Sequence, residues 1–228
     1  MKRLLPLVLI IALLLSLAVS ASATTGATSV RVDAVLSDDG TCQVTATVNL
    51  HMDQPLEKVQ FPIPGNAYGI TVGGGMAVTR KSGGVTYVDL SRMLGGVVGD
   101  FTVILRYSLP GTVTYNDLLR PELNLPMLSG FQYPVSNLEF SVTLPEQIQY
   151  TPVFSSGYHQ QTIEEDLLYI AAGNQITGSV STELKAHETL SMRLELTEET
   201  FPRTLVEPWS AGVEDQVLAV IAVLGLIY

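Results

Sequence analysis

Disulfides cannot hold this chain together, because Cys42 is its only cysteine. Zinc is equally hard to place. His51, His159 and His187 are far apart in sequence, and no Cys-x-x-Cys or His-x-x-x-His spacing is present. The elbow Gly-x-Ser-x-Gly is also missing, since Ser129 and Ser156 stand beside glycines without a strand-turn-helix setting. Gly73, Gly74 and Gly75 have no Lys-Ser/Thr after them, so they read as a turn and not as a phosphate cradle. Basic residues are few, with 12 Lys and Arg against 22 Asp and Glu. That balance disfavours nucleic acid and anionic lipid headgroups as partners, because both select a basic face. These gaps leave no catalytic residues, metal ligands or cofactor to name.

What the chain does have begins at its ends. Met1, Lys2 and Arg3 precede an apolar run from Leu4 to Val19, and small residues close with Ala21, Ser22 and Ala23. A positive end, an apolar middle and a small-residue cleavage site predict a signal peptide over residues 1–23. Cys42 lies well past that zone, so no lipid-attachment cysteine follows the leader. At the other end, Val217 to Tyr228 holds no charged residue, but a membrane-spanning helix needs about 20 apolar residues. The expectation is that residues 216–228 start a transmembrane helix that continues past Tyr228, after a linker over residues 204–215 that carries Trp209 at the lipid interface. Membrane lipid is then a partner through this C-terminal segment, and the domain between lies on the extracytoplasmic side of the cell membrane.

Residues 24–203 alternate with the period of a strand. Cys42, Val44, Ala46, Val48 and Leu50 are interleaved with Gln43, Thr45, Thr47 and Asn49. Val30, Val32 and Ala34 precede them across a turn at Asp38, Asp39 and Gly40, which predicts a hairpin. The pattern recurs at Phe101–Leu109, Leu138–Leu144 and Leu190–Leu196, with shorter apolar runs between. Cys42 falls on the apolar face, where a thiol is an inert core group. Many short strands separated by Gly, Pro and Asn predict an all-β fold, an antiparallel β-sandwich that is immunoglobulin-like or related, as one sandwich or two lobes.

The stretch from Thr112 to Pro134 breaks this rhythm. Pro121, Pro126 and Pro134 cannot donate to a ladder, so it reads as an excursion over the sandwich or a seam between lobes. Loops on a rigid scaffold carry recognition, which makes Tyr115, Phe131 and Tyr133 the candidate binding residues, with plugging one end of the core as the other reading. Glu164, Glu165 and Asp166 read as a solvated acidic loop.

The order of parts resembles the YciQ-like family of predicted membrane proteins. The matching stretches are the strand pair around Asp39 and Gly40, then Tyr133-Pro134-Val135-Ser136-Asn137 leading into a strand that closes at Leu144 and Pro145. Leu184–Leu190, before a last strand ending near Phe201, completes them. The sequence departs from the pattern at Phe61–Gly65, where an arginine-rich segment is expected, and it lacks tryptophans near Leu125 and Phe131. The resemblance implies an exported β domain followed by transmembrane helices and carries over no catalytic residues. The expected function is an interaction or sensing module of a larger membrane protein, with a protein or cell-envelope partner. The alternatives are an exported enzyme on cell-wall or sugar polymers, drawing carboxylates from Asp117, Glu122 or Glu164, and a structural surface subunit that offers sheet edges to its own copies.

Overall fold

The computed structural model describes residues 25–157 and 167–202. The leader, the linker, residues 216–228 and the acids Glu164 to Asp166 lie outside the described residues, as do His159 and Trp209. In chain order the strands are β1 (Gly26–Leu36), β2 (Cys42–Met52), β3 (Gln60–Pro64), β4 (Tyr68–Val72), β5 (Gly75–Met76), β6 (Thr79–Ser82) and β7 (Val85–Asp89). One helical turn, α1 (Ser91–Leu94), leads to β8 (Gly99–Leu109), β9 (Val113–Tyr115), β10 (Pro121–Ser129) and β11 (Leu138–Thr143). The last four are β12 (Val153–Ser156), β13 (Leu167–Ala172), β14 (Gln175–Val180) and β15 (Thr189–Glu195).

These strands build an eight-stranded sheet in the order β13-β14-β11-β1-β2-β8-β4-β5, a four-stranded sheet β12-β15-β10-β9 and a three-stranded sheet β3-β7-β6. The hairpin forms as alternation dictates, with Val30 opposite Val48 and Ala34 opposite Val44. Its turn is closed by the Ser37 N–H donating to the Thr41 carbonyl at 2.9 Å, and by the Asp39 carboxylate accepting from the Thr41 N–H at 2.8 Å. Gly40 supplies the positive φ of 75° that this turn requires. Val44, Val48, Val103, Leu105, Phe140, Val142, Met192 and Leu194 are all buried, while Thr102 and Arg106 are exposed. The alternating apolar sets therefore face a single core shared by all three sheets. Each Val, Leu or Phe so buried contributes about 1.5–3 kcal/mol of transfer free energy. Across the layers, Phe140 of β11 meets Phe154 of β12 with ring centres 5.3 Å apart, and Phe61 of β3 meets Phe131 at 5.2 Å.

One feature corrects the sequence reading, and a second adds to it. Residues Thr112–Pro134 are no excursion: β9 and the nine-residue β10 occupy most of it, and β10 is flanked by β15 and β9. Pro121 is tolerated because it opens the strand. Pro126 is tolerated because β9 pairs only with Pro121–Leu123 and a register shift falls between Pro126 and Leu128, so the missing N–H meets a bulge. The second feature is one of direction, a single exception within the antiparallel sheets. β1 and β11 run parallel, from Val30 opposite Leu138 to Val35 opposite Thr143, within sheets that otherwise pair antiparallel.

Candidate functional site

Because Leu123, Leu125, Met192 and Leu194 turn into the core, the residues between them on β10 and β15 face outward. The register sets Glu122 directly opposite Glu195 and Asn124 opposite Arg193. Like charges in that position repel. Two arginines relieve the repulsion: Arg193 Nε lies 3.7 Å from Glu122 Oε1, and Arg120 Nη1 lies 3.1 Å from Glu195 Oε2. Asn116 Nδ2 also donates to Glu195 Oε1 at 3.4 Å. With Tyr150, Thr151 and Val153, these acids line an open groove of about 400 Å³. The arrangement is an ion-pair network beside a shallow groove that mixes polar and apolar side chains, open to an extended chain or a small polar group.

The sequence-predicted residues are divided by the strand they were thought to lack. Tyr115 ends β9 opposite Pro121, and its hydroxyl donates to the Phe201 carbonyl at 3.3 Å. Phe131 and Tyr133 lie past the other end of β10, about 25 Å along the strand. Phe131 is buried and touches Tyr133 edge-on, with ring centres 5.5 Å apart. It joins the core where the three-stranded and four-stranded sheets meet. Of the candidate carboxylates, Glu122 lines the groove, Asp117 is exposed in the turn before Arg120, and Glu164 lies outside the described residues. His51 pairs through Nδ1 with Asp100 at 2.7 Å on the surface, and the backbone N–H of His187 donates to the Phe131 carbonyl. Cys42 is buried, and burial pushes its thiol up to about 12.

A surface that sequence reasoning passed over lies at the β4–β5 edge. Gly73 and Gly74 turn the hairpin with φ of 57° and 87°, as their left-handed geometry requires. The tip rests on α1: a Cβ at Gly73 would lie 3.8 Å from Met93 Cε. α1 is tied in turn to β3, because Val59 N–H donates to Ser91 Oγ at 3.1 Å and Leu90 N–H to the Val59 carbonyl at 2.9 Å. Asp89 accepts from the Ser91 N–H at 2.8 Å. Hydrogen bonds from the side chain and backbone of Ser91 hold its carboxyl below the usual range, helped by Arg92 and Lys58 nearby. Met76 is 85% exposed on this edge, Val78 is exposed two residues on, Met93 is exposed on α1, and Val97 and Val98 are exposed between α1 and β8. Arg80, two residues beyond Val78, reaches over the Tyr87 ring at 5.7 Å. The signal available in the sequence was Met76-Ala77-Val78 running into Arg80-Lys81 within an acidic chain.

One family model, described as the predicted membrane protein (DUF2207) N-terminal domain, matches residues 27–196. No curated protein matches the sequence. Among solved structures, leukotriene A4 hydrolase from Saccharomyces cerevisiae is similar at 10% identity and a TM-score of 0.45, over 76% of this chain and 30% of that chain. An M1 zinc metallopeptidase from Deinococcus radiodurans is similar at 10% identity and a TM-score of 0.41, over 75% of this chain and 42% of that chain. The chain spans less than half the length of either, and likeness at these scores supports no inference.

Proposed function

We propose, from the premise that the chain belongs to the DUF2207 family of predicted membrane protein N-terminal domains, that it is the extracytoplasmic interaction or sensing module of a larger membrane protein. The observation that carries this reading is the extent of the match. Residues 27–196 run from the start of β1 to the end of β15, so the family's N-terminal domain is the sandwich itself. The export signal read in Met1–Ala23 supports placement outside the cytoplasm. A rigid sandwich with an open groove and an exposed edge suits binding, not chemistry.

Two measurements on the full-length protein in intact cells test the reading. Protease added outside is expected to digest the domain. A photoreactive side chain at Tyr150, beside the groove, is expected to give a discrete cross-linked product that vanishes with Glu122→Arg. Digestion only after lysis would overturn the outer placement, and absence of any product would overturn the interaction role.

A second reading, cleavage of a sugar polymer, is favoured by Glu122 and Glu195 standing opposite each other at the groove. It ranks second because each carboxylate is engaged by an arginine. Turnover of wall polymer by the full-length protein, abolished by Glu122→Gln, would install it.

A further inference from the structure

We propose that β13, at the end of the large sheet, receives the β13 of a second copy of this chain, the two strands pairing antiparallel. An edge strand presents a row of backbone donors and acceptors, which folded proteins protect by shortness, proline or positive charge. The sheet edges of this domain divide on that test. β5 has two residues, β9 three and β12 four, while β3 carries Pro62 and Pro64, and β6 carries Arg80 and Lys81. β13 has none of these protections. Its six residues pair with β14 without a bulge, from Leu167 opposite Val180 to Ala172 opposite Gln175, and none is charged or proline. Among the described residues no strand lies on its other flank. Register decides which side chains a partner meets. Val180 and Ile176 are buried, so Leu167 and Ala171 opposite them lie on the core side with Tyr169, whose ring centre is 5.2 Å from that of Phe154. Leu168 and Ile170 therefore share the outer face, where they are 72% and 69% exposed. Pairing about a two-fold axis sets these side chains across from those of the other copy and satisfies the open backbone of both strands.

Charge selects the occupant and its direction. The chain holds 22 acidic residues against 12 basic, so two copies repel over most of their surfaces. Residues 167–180, which form β13, β14 and the turn between them, hold no charge. On the next strand, β11, the one charged side chain is Glu139, and Arg31 lies 3.8 Å from it. At this edge an acidic copy can approach without meeting like charge. Glu164, Glu165 and Asp166 stand immediately before Leu167 in the sequence. Parallel pairing would bring the two acidic runs together, whereas antiparallel pairing sends them to opposite ends of the joined strands. The partner strand must then be as long, neutral and apolar on its outer face. Of the described sheet edges, β13 itself has those properties and the others do not. Pairing β13 with β13 also closes as a dimer, while pairing it with a different edge would continue into filaments. The inference goes beyond the functional reading and uses neither the groove nor the outer placement.

The test is the mass of the full-length protein in detergent, by light scattering over a wide range of concentration, with cysteine cross-linking in intact cells beside it. A reversible dimer is expected. Leu168→Lys with Ile170→Lys is expected to raise its dissociation constant by about tenfold or more and to leave the fold intact, because both side chains stand in water in the monomer. Leu168→Ile with Ile170→Leu is expected to keep the dimer. Of the single variants Leu168→Cys, Tyr169→Cys, Ile170→Cys and Ala171→Cys, no more than two neighbours are expected to cross-link efficiently, as a two-fold axis between antiparallel strands requires. Leu118→Cys, exposed between β9 and β10, is expected to give no product, and buried Cys42 does not contribute. A monomer at every concentration would overturn the proposal, and β13 amides protected from hydrogen exchange in that monomer would assign the edge to a segment of the same chain. A dimer indifferent to the lysines would overturn it in favour of association elsewhere in the chain. Equal cross-linking from all four positions would overturn the antiparallel direction. The groove takes no part, so failure here leaves the cross-link expected from Tyr150 standing.

Discussion

The centre of the large sheet and its β4–β5 edge use similar apolar residues for opposite ends. In β2 and β8, valine and leucine fall on one face and are buried against the smaller sheets, while Thr102 and Arg106 meet water. At the edge, valine and methionine lie outside, interspersed with arginine and lysine. Side-chain type does not decide burial here; position relative to a second layer does. A strand with a layer beneath it sorts its residues by period two. The β4–β5 hairpin turns Ile70, Val72 and Ala77 partly onto the core, and its outward Met76 has no layer over it among the described residues and remains available.

Mutations should separate the two regions by size of effect. Phe131→Ala removes a ring from the seam between the smaller sheets and is expected to cost about 3–5 kcal/mol in urea unfolding. Met76→Ala, on the edge, is expected to stay within about 0.5 kcal/mol, and a larger loss there would break the comparison. Gly65→Ala tests how closely β3 and β7 approach, because a Cβ would lie 2.4 Å from the Gly84 carbonyl oxygen. A loss of about 1–3 kcal/mol is expected.

Titration gives smaller effects. The folded thiol of Cys42 is raised to about 12 from 9.0, so the protonated form is favoured by folding. Its contribution is complete below pH 9.0 and is lost as pH rises toward about 12. Tyr107, opposite Val44 and also pushed up by burial, acts in the same direction. Alkaline denaturation should therefore begin above pH 9.0, and alkylation of Cys42 at neutral pH should require unfolding. At the edge, Asp89 has a lowered pKa, so its contribution is present above 3.8 and lost as pH falls through the folded value. Asp89→Asn should cost no more than about 1 kcal/mol at neutral pH and flatten the acid limb of the stability profile.

Particular strands show why some of this fold is legible in sequence and some is not. β2 is readable because every second residue from Cys42 to Leu50 is apolar, and the turn before it carries Asp39 and Gly40. β10 has the same alternation in Leu123, Leu125 and Met127, but prolines outweigh it until β15 and the bulge are seen. The parallel pairing of β1 with β11 leaves no local trace, because both strands alternate as antiparallel ones do. The groove was half visible: Glu122 was a candidate, whereas Glu195 and Arg193 arrive only through register.

The parallel pairing also sets a timetable. β1 is among the first strands of the domain to be synthesised, yet it lies inside the large sheet, and its flank opposite β2 waits for Leu138–Thr143. Val30 must wait for Leu138, a gap of about a hundred residues. At roughly 5–20 residues per second that is about 5–20 s of synthesis. During this interval the β1–β2 hairpin carries an open row of backbone donors and acceptors, the surface on which nascent chains aggregate. The central position of the first strand thus delays closure of the sheet until most of the domain has been made, which keeps the chain threadable and makes it dependent on whatever shields that flank.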